Sequence, residues 1–126
     1  IHLVYNCCIY YNNFISYFKM KKINIAITGC LGRMGKQLIK SIKNDKNLNL
    51  VALTENKRIE KKINGIKINL NEERIFRNTD LIIDFTVPKC TFQILKIASK
   101  LKKRVVIGTT GFSKKEEDLI KKLSKK

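Results

Sequence analysis

The chain has 126 residues, of which 27 are Lys or Arg and 10 are Asp or Glu, giving a formal net charge of +17, with 44% hydrophobic content. That length holds one domain, and the apolar fraction suffices for a packed core, which excludes a disordered tail. The charge by itself would suit a polyanion. The lysines, however, are spread over every predicted helix and loop, and after residue 20 no aromatic alternates with basic residues, so the reading is a solvated basic surface with no nucleic-acid partner.

Residues 1–19 differ in kind from the rest. They gather Tyr5, Tyr10, Tyr11, Phe14, Tyr17 and Phe18 with no glycine and almost no charge. A signal peptide needs a basic start and a small-residue cleavage site, and a membrane span needs about 20 predominantly apolar residues, which the Asn12-Asn13 pair interrupts. Neither description fits, so no membrane partner is expected. Met20-Lys21-Lys22 has the form of a natural start directly before the first strand, so residues 1–19 are expected to be a non-native segment of upstream translation, and the domain to occupy 20–126.

From Met20 onward, predicted strands and helices alternate, the pattern of an α/β, Rossmann-like, doubly wound, mostly parallel sheet with helices on both faces. An apolar strand from Ile23 runs into Gly29-Cys30-Leu31-Gly32-Arg33-Met34-Gly35. Arg33 to Lys43 then carries Met34, Leu38, Ile39 and Ile42 at helical spacing. Leu48 to Thr54 is the second strand, and the charged stretch from Glu55 to Asn64 is expected to be a mobile loop. Ile66, Ile68 and Leu70 alternate with polar residues as a short edge strand, and Asn71 to Phe76 form a brief helix. Leu81 to Phe85 is a buried strand. The helix around Lys89 to Lys102 is expected to place Phe92, Leu95, Ala98 and Leu101 on one face, with Thr86 as its cap. Val105 to Ile107 is a further central strand. Ser113 and Glu116 have capping-box spacing and open a last helix with Leu119, Ile120 and Leu123 as its apolar side.

The glycine run after a strand and before a helix has the form of a dinucleotide phosphate site. Gly29 makes the tight turn, Gly32 lets backbone approach a pyrophosphate, Gly35 allows close packing of helix on strand, and the helix aims unpaired N–H groups at the anion. Cys30 is a small filler within that turn. Glu55, about 20 residues past the turn, stands where such folds place a carboxylate for the adenosine ribose hydroxyls. Asn56, Lys57 and Arg58 follow, and Lys57, Arg58 or Arg33 would accommodate a 2′-phosphate, so NADH and NADPH both stay open. Gly108-Thr109-Thr110-Gly111-Phe112 follows a buried strand, where the threonines offer hydroxyls and amides to a carboxamide or a substrate carboxylate. Phe85 is read as core packing in preference to a nicotinamide contact. Cys7, Cys8, Cys30 and Cys90 lack zinc spacing and are expected to be reduced thiols with no metal, in keeping with a cytoplasmic protein.

Three runs taken in order, Gly29 to Gly35, Asp84-Phe85-Thr86-Val87-Pro88 and Gly108 to Phe112, closely resemble the amino-terminal domain of the 4-hydroxy-tetrahydrodipicolinate reductase (dihydrodipicolinate reductase) family, over Met20 to the C-terminus. The resemblance implies an NADH- or NADPH-dependent cytoplasmic oxidoreductase. Its small-molecule substrate would be a cyclic intermediate of lysine and diaminopimelate biosynthesis, and the full-length enzyme would be a homotetramer. By position, Gly29, Cys30, Leu31, Gly32, Arg33 and Met34 would hold the pyrophosphate, Glu55 the adenosine ribose, and Gly108, Thr109 and Thr110 the nicotinamide end. Asn56 departs from NADPH-accepting relatives that place arginine there, and Val87 replaces a basic or polar residue found in some. The family's substrate domain, with paired histidines and a lysine, would begin beyond Lys126. The only histidine is His2, so no catalytic residue is assigned and the chain alone is expected to be inactive. Short-chain dehydrogenases and epimerases share the glycine spacing, but every tyrosine here precedes Met20. A non-catalytic nucleotide-binding module is the other alternative.

Overall fold

The computed structural model describes residues 4–5 and 21–125. Its elements in chain order are β1 (Val4–Tyr5), β2 (Ile23–Thr28), α1 (Arg33–Lys43), β3 (Leu48–Glu55), β4 (Lys62–Ile63), β5 (Ile66–Leu70), α2 (Glu73–Phe76), β6 (Leu81–Asp84), α3 (Pro88–Leu101), β7 (Arg104–Ile107) and α4 (Lys114–Leu123). The sheet order is β1-β7-β6-β2-β3-β5-β4, and β7, β6, β2, β3 and β5 pair in parallel. The expected α/β, Rossmann-like class is therefore the observed one.

Parallel strands buried on both sides must be apolar throughout, as Ile25, Ala26 and Ile27 are. Side-chain alternation then divides the core. Ile25, Ile27 and Leu53 face α1, meeting Ile39 and Ile42, whereas Ala26, Ala52, Ile82, Val105 and Ile107 face the other side, meeting Phe76, Ile94, Ala98 and Ile120. After β3 and β5 build outward on one flank of β2, the chain returns through β6 to its other flank. The edge between β2 and β6 is thus the point of reversal, where open α/β sheets bind ligands beyond the strands' carboxyl ends.

Several local expectations are corrected. The stretch from Glu55 to Asn64 contains β4, which pairs antiparallel with β5 across Asn64-Gly65. Both turn residues have positive φ, 50° and 78°, the backbone that an Asn-Gly hairpin favours. The inward face of α3 is centred on Thr91, Ile94 and Ala98, with Phe92, Leu95 and Leu101 only partly buried around it. Met34 and Leu119 are each 46% exposed, because α1 begins beyond the sheet's edge and α4 turns only Ile120 fully inward. The expectation for 1–19 falls outside the described residues except at Val4–Tyr5, which pair antiparallel with β7.

Candidate functional site

Register brings the predicted residues to one edge. Thr28 is opposite Thr54 on one side and Asp84 on the other, and Asp84 is opposite Ile107. The next residue in each strand's path is therefore Gly29, Glu55, Phe85 or Gly108, so four segments distant in sequence leave the sheet side by side.

The glycine turn is set by close backbone packing. Gly29 has φ +71°, and a methyl there would lie 2.4 Å from the Phe85 carbonyl oxygen. A methyl at Gly35 would lie 2.3 Å from the Gly29 oxygen, so only glycine lets α1 seat against the turn. Gly32 differs: a methyl there would meet only the Gly29 oxygen, at 3.4 Å. Its open side faces outward, with Gly32, Arg33 and Met34 all exposed. Gly32 is the N-cap of α1, no side chain caps it, and the first turn carries no acid. The helix start thus presents amide donors that the chain's own side chains leave unpaired, in a field that favours an anion. These features fit the pyrophosphate of a dinucleotide.

Glu55, half-buried at the end of β3, accepts from Leu31 N through Oε1 at 2.7 Å. The carboxylate therefore braces the turn from the side of the second strand. Cys30 is fully buried, and its amide donates to Thr54 O at 3.4 Å. Burial first, then the charge of Glu55, pushes its thiol up from 9.0 to about 11, with a hydrogen bond to Glu55 adding to the rise and Lys61 opposing it. Lys57 and Arg58 are exposed, and Arg58 pairs with Glu60 at 3.0 Å.

At the other flank, the ring of Phe85 fills the space that a side chain at Gly108 would take, with its Cε1 2.1 Å from the position of a methyl. Gly108 therefore accommodates Phe85. Thr109 is buried, and its hydroxyl is consumed within the protein: it accepts from Thr86 N at 2.9 Å and donates to Asp84 Oδ2 at 3.2 Å. Of the two threonine hydroxyls expected to face a ligand, only that of the exposed Thr110 remains available. Phe112 anchors the same loop by an edge-to-face contact with Phe92, their centroids 6.1 Å apart.

The residue that sequence reasoning passed over is Asp84. It is fully buried and accepts from four threonine hydroxyls: Thr28 at 2.6 Å, Thr86 at 2.7 Å, Thr91 at 2.5 Å and Thr109 at 3.2 Å. This also corrects the expected cap, since the N-cap of α3 is Val87 and the Thr86 hydroxyl turns to Asp84. The available signal was a carboxylate ending an otherwise apolar strand, since a buried charge requires several donors.

The family model for dihydrodipicolinate reductase, N-terminus, matches residues 23–126. The chain belongs to that family. A 4-hydroxy-tetrahydrodipicolinate reductase of Pelagibacter ubique (strain HTCC1062) is 74% identical over 106 residues, covering 84% of this chain and 41% of the relative. The reductase of Buchnera aphidicola subsp. Acyrthosiphon pisum (strain 5A) is 42% identical over 117 residues, covering 84% of this chain and 44% of the relative. Among solved structures, a dipicolinate-bound dihydrodipicolinate reductase from Paenisporosarcina sp. TG-14 superposes with a TM-score of 0.69 at 27% identity, over 81% of this chain and 43% of that one. This dihydrodipicolinate reductase N-terminal region thus spans less than half the length of these relatives. Among its described residues no group of His, Cys, Asp and Glu could hold a metal ion, and no helix is long and apolar enough to cross a membrane.

Proposed function

We propose that residues 20–126 are the nucleotide-binding domain of an NAD(P)H-dependent reductase that converts 4-hydroxy-tetrahydrodipicolinate to tetrahydrodipicolinate in lysine and diaminopimelate biosynthesis. The observation that carries this reading is the uncapped, acid-free start of α1 behind an open glycine turn, in a chain whose family model is that of the reductase. Of the six residues at the pyrophosphate end, Gly29, Cys30, Leu31, Gly32, Arg33 and Met34, the last two would reach the anion with their amides and the Arg33 charge, while the first four, whose amides donate to Thr54 O, Glu55 Oε1 and Gly29 O, would shape the turn around it. Glu55 would accept from the adenosine ribose, and Gly108, Thr109 and Thr110 would meet the nicotinamide end, with Thr109 contributing backbone and Thr110 its hydroxyl as well.

When bound, the dihydronicotinamide supplies a hydride to the substrate ring. The contribution of this chain is to fix the orientation of that ring at the sheet's edge. The groups that bind and protonate the small-molecule substrate would come from a substrate domain outside residues 1–126, in a cytoplasmic homotetramer without nucleic-acid or membrane partners. Residues 1–19, apart from Val4–Tyr5, which pair with β7, would stand outside the domain. This chain alone would bind cofactor without turning it over.

Titration of the folded chain with NADH tests the reading: nicotinamide fluorescence is expected to rise or shift, and a silent titration would reject it. Glu55→Ala is expected to weaken NADH more than NADPH in the same titration. Equal losses would remove Glu55 from the ribose role.

A further inference from the structure

We infer that Asp84 is the positioning residue that fixes the nicotinamide-side loop, 108–110, relative to the glycine turn. The inference rests on the reading that this edge takes a nicotinamide dinucleotide. Its own basis is the geometry of the buried hydroxyl cluster.

The four donors to Asp84 come from four different segments. Thr28 is the last residue of β2, directly before Gly29; Thr86 lies between β6 and α3; Thr91 is in the first turn of α3; Thr109 follows β7. Oδ1 receives Thr28 and Thr86, and Oδ2 receives Thr91 and Thr109, so both oxygens carry two donors each. A carboxylate offers about four acceptor directions, and here all are used. Asp84 is therefore unsuited to take a proton from a substrate, and its fully buried position keeps it from touching one.

What the cluster does is hold distances. Asp84 O accepts from Gly108 N at 2.8 Å, and Thr109 Oγ1 accepts from Thr86 N at 2.9 Å, so the loop after β7 is tied to the end of β6 at two consecutive residues. Thr28 ties the same carboxylate to the turn at Gly29. A dinucleotide that spans both flanks is sensitive to their separation, because its pyrophosphate and nicotinamide are covalently joined. A ligand that ends at the second ribose reaches only the glycine turn and is not.

The test compares NADH with ADP-ribose by calorimetry on the full chain, in Asp84→Asn, Thr91→Val and Thr91→Ser. Asn inserts an amide donor among four hydroxyl donors, and Val deletes one donor at a fully buried position on α3. Asp84→Asn is expected to lower NADH affinity about tenfold more than ADP-ribose affinity. Thr91→Val should shift the ratio in the same direction by a smaller factor, and Thr91→Ser should restore it. If Asp84→Asn does not fold, the Thr91 pair decides. Equal effects on both ligands, or no effect on either, would overturn the inference. Failure of the unaltered chain to bind either ligand would overturn the dinucleotide reading itself.

Discussion

The starts of α1 and α4, helices packed on opposite faces of the sheet, are opposites in how their amides are satisfied. At α4, Ser113 Oγ accepts from Glu116 N at 3.3 Å, the Glu116 carboxylate accepts from Ser113 N at 2.7 Å, and Glu116 and Glu117 lie in the first turn. That helix satisfies its own amides and its own dipole. At α1 the cap is Gly32, no side chain caps the start, and the first turn carries no acid. A glycine cap costs only about 0.3 kcal/mol relative to a side chain that caps. The difference leaves the first amides of α1 without the side-chain partners that α4 supplies to its own.

The comparison breaks most completely at Gly29. In Gly29→Ala, the positive φ and the collision with the Phe85 carbonyl together cost about 2–5 kcal/mol, from about 1–2 for the left-handed backbone and about 1–3 for overpacking. Thermal unfolding followed by circular dichroism is expected to fall markedly, with NADH binding lost. A melt matching the unaltered chain would show that the turn is not tightly packed.

Gly32→Ala sharpens the comparison, since its methyl meets no collision in the protein. It is expected to cost less than about 1 kcal/mol in the melt, the step from glycine to alanine at an N-cap. The same methyl occupies the space over which the pyrophosphate would lie, so NADH affinity should drop about tenfold or more. A preserved affinity would move the anion away from α1.

Ser113→Ala is the reciprocal change. It should cost about 1 kcal/mol of stability through loss of the cap and leave NADH affinity as it was. Loss of affinity there would mean that the two helix starts do not divide their roles as described.

The smallest effect concerns Cys30 under the α1 turn. Its thiol titrates at about 11 in the fold against an ordinary 9.0, so the folded chain holds that proton more tightly than the unfolded chain. The stabilisation it gives is complete below pH 9 and is lost as pH rises through about 11. Site-resolved alkylation by iodoacetamide should therefore be slow at Cys30 at pH 8 and rapid only after unfolding. Rapid labelling of the folded chain would contradict its burial.

Much of this was legible in the sequence because the signals were local and repetitive. The glycine run, the apolar strands and the Ser113–Glu116 spacing each specify geometry within a few residues, and α1, β5 and the α4 cap lie where those patterns place them. The Asn64-Gly65 hairpin was equally local but was obscured by the charges around it. The roles of Asp84, Thr109 and Gly108 were not legible, since each depends on what register brings alongside from another strand. Gly108 reads as room for a ligand until Phe85 is seen to fill it, and Thr109 reads as a ligand contact until Asp84 and Thr86 are seen to consume its hydroxyl.

The most direct test of the claim that α1 reserves its start for a dinucleotide is an amide-resolved nuclear magnetic resonance titration of the chain with NADH. The account predicts large shifts at Leu31, Gly32, Arg33 and Met34, smaller ones at Gly108 to Thr110, and none at Ser113 to Glu117. Shifts confined to the α4 start, or absent from the glycine turn at saturating NADH, would contradict it.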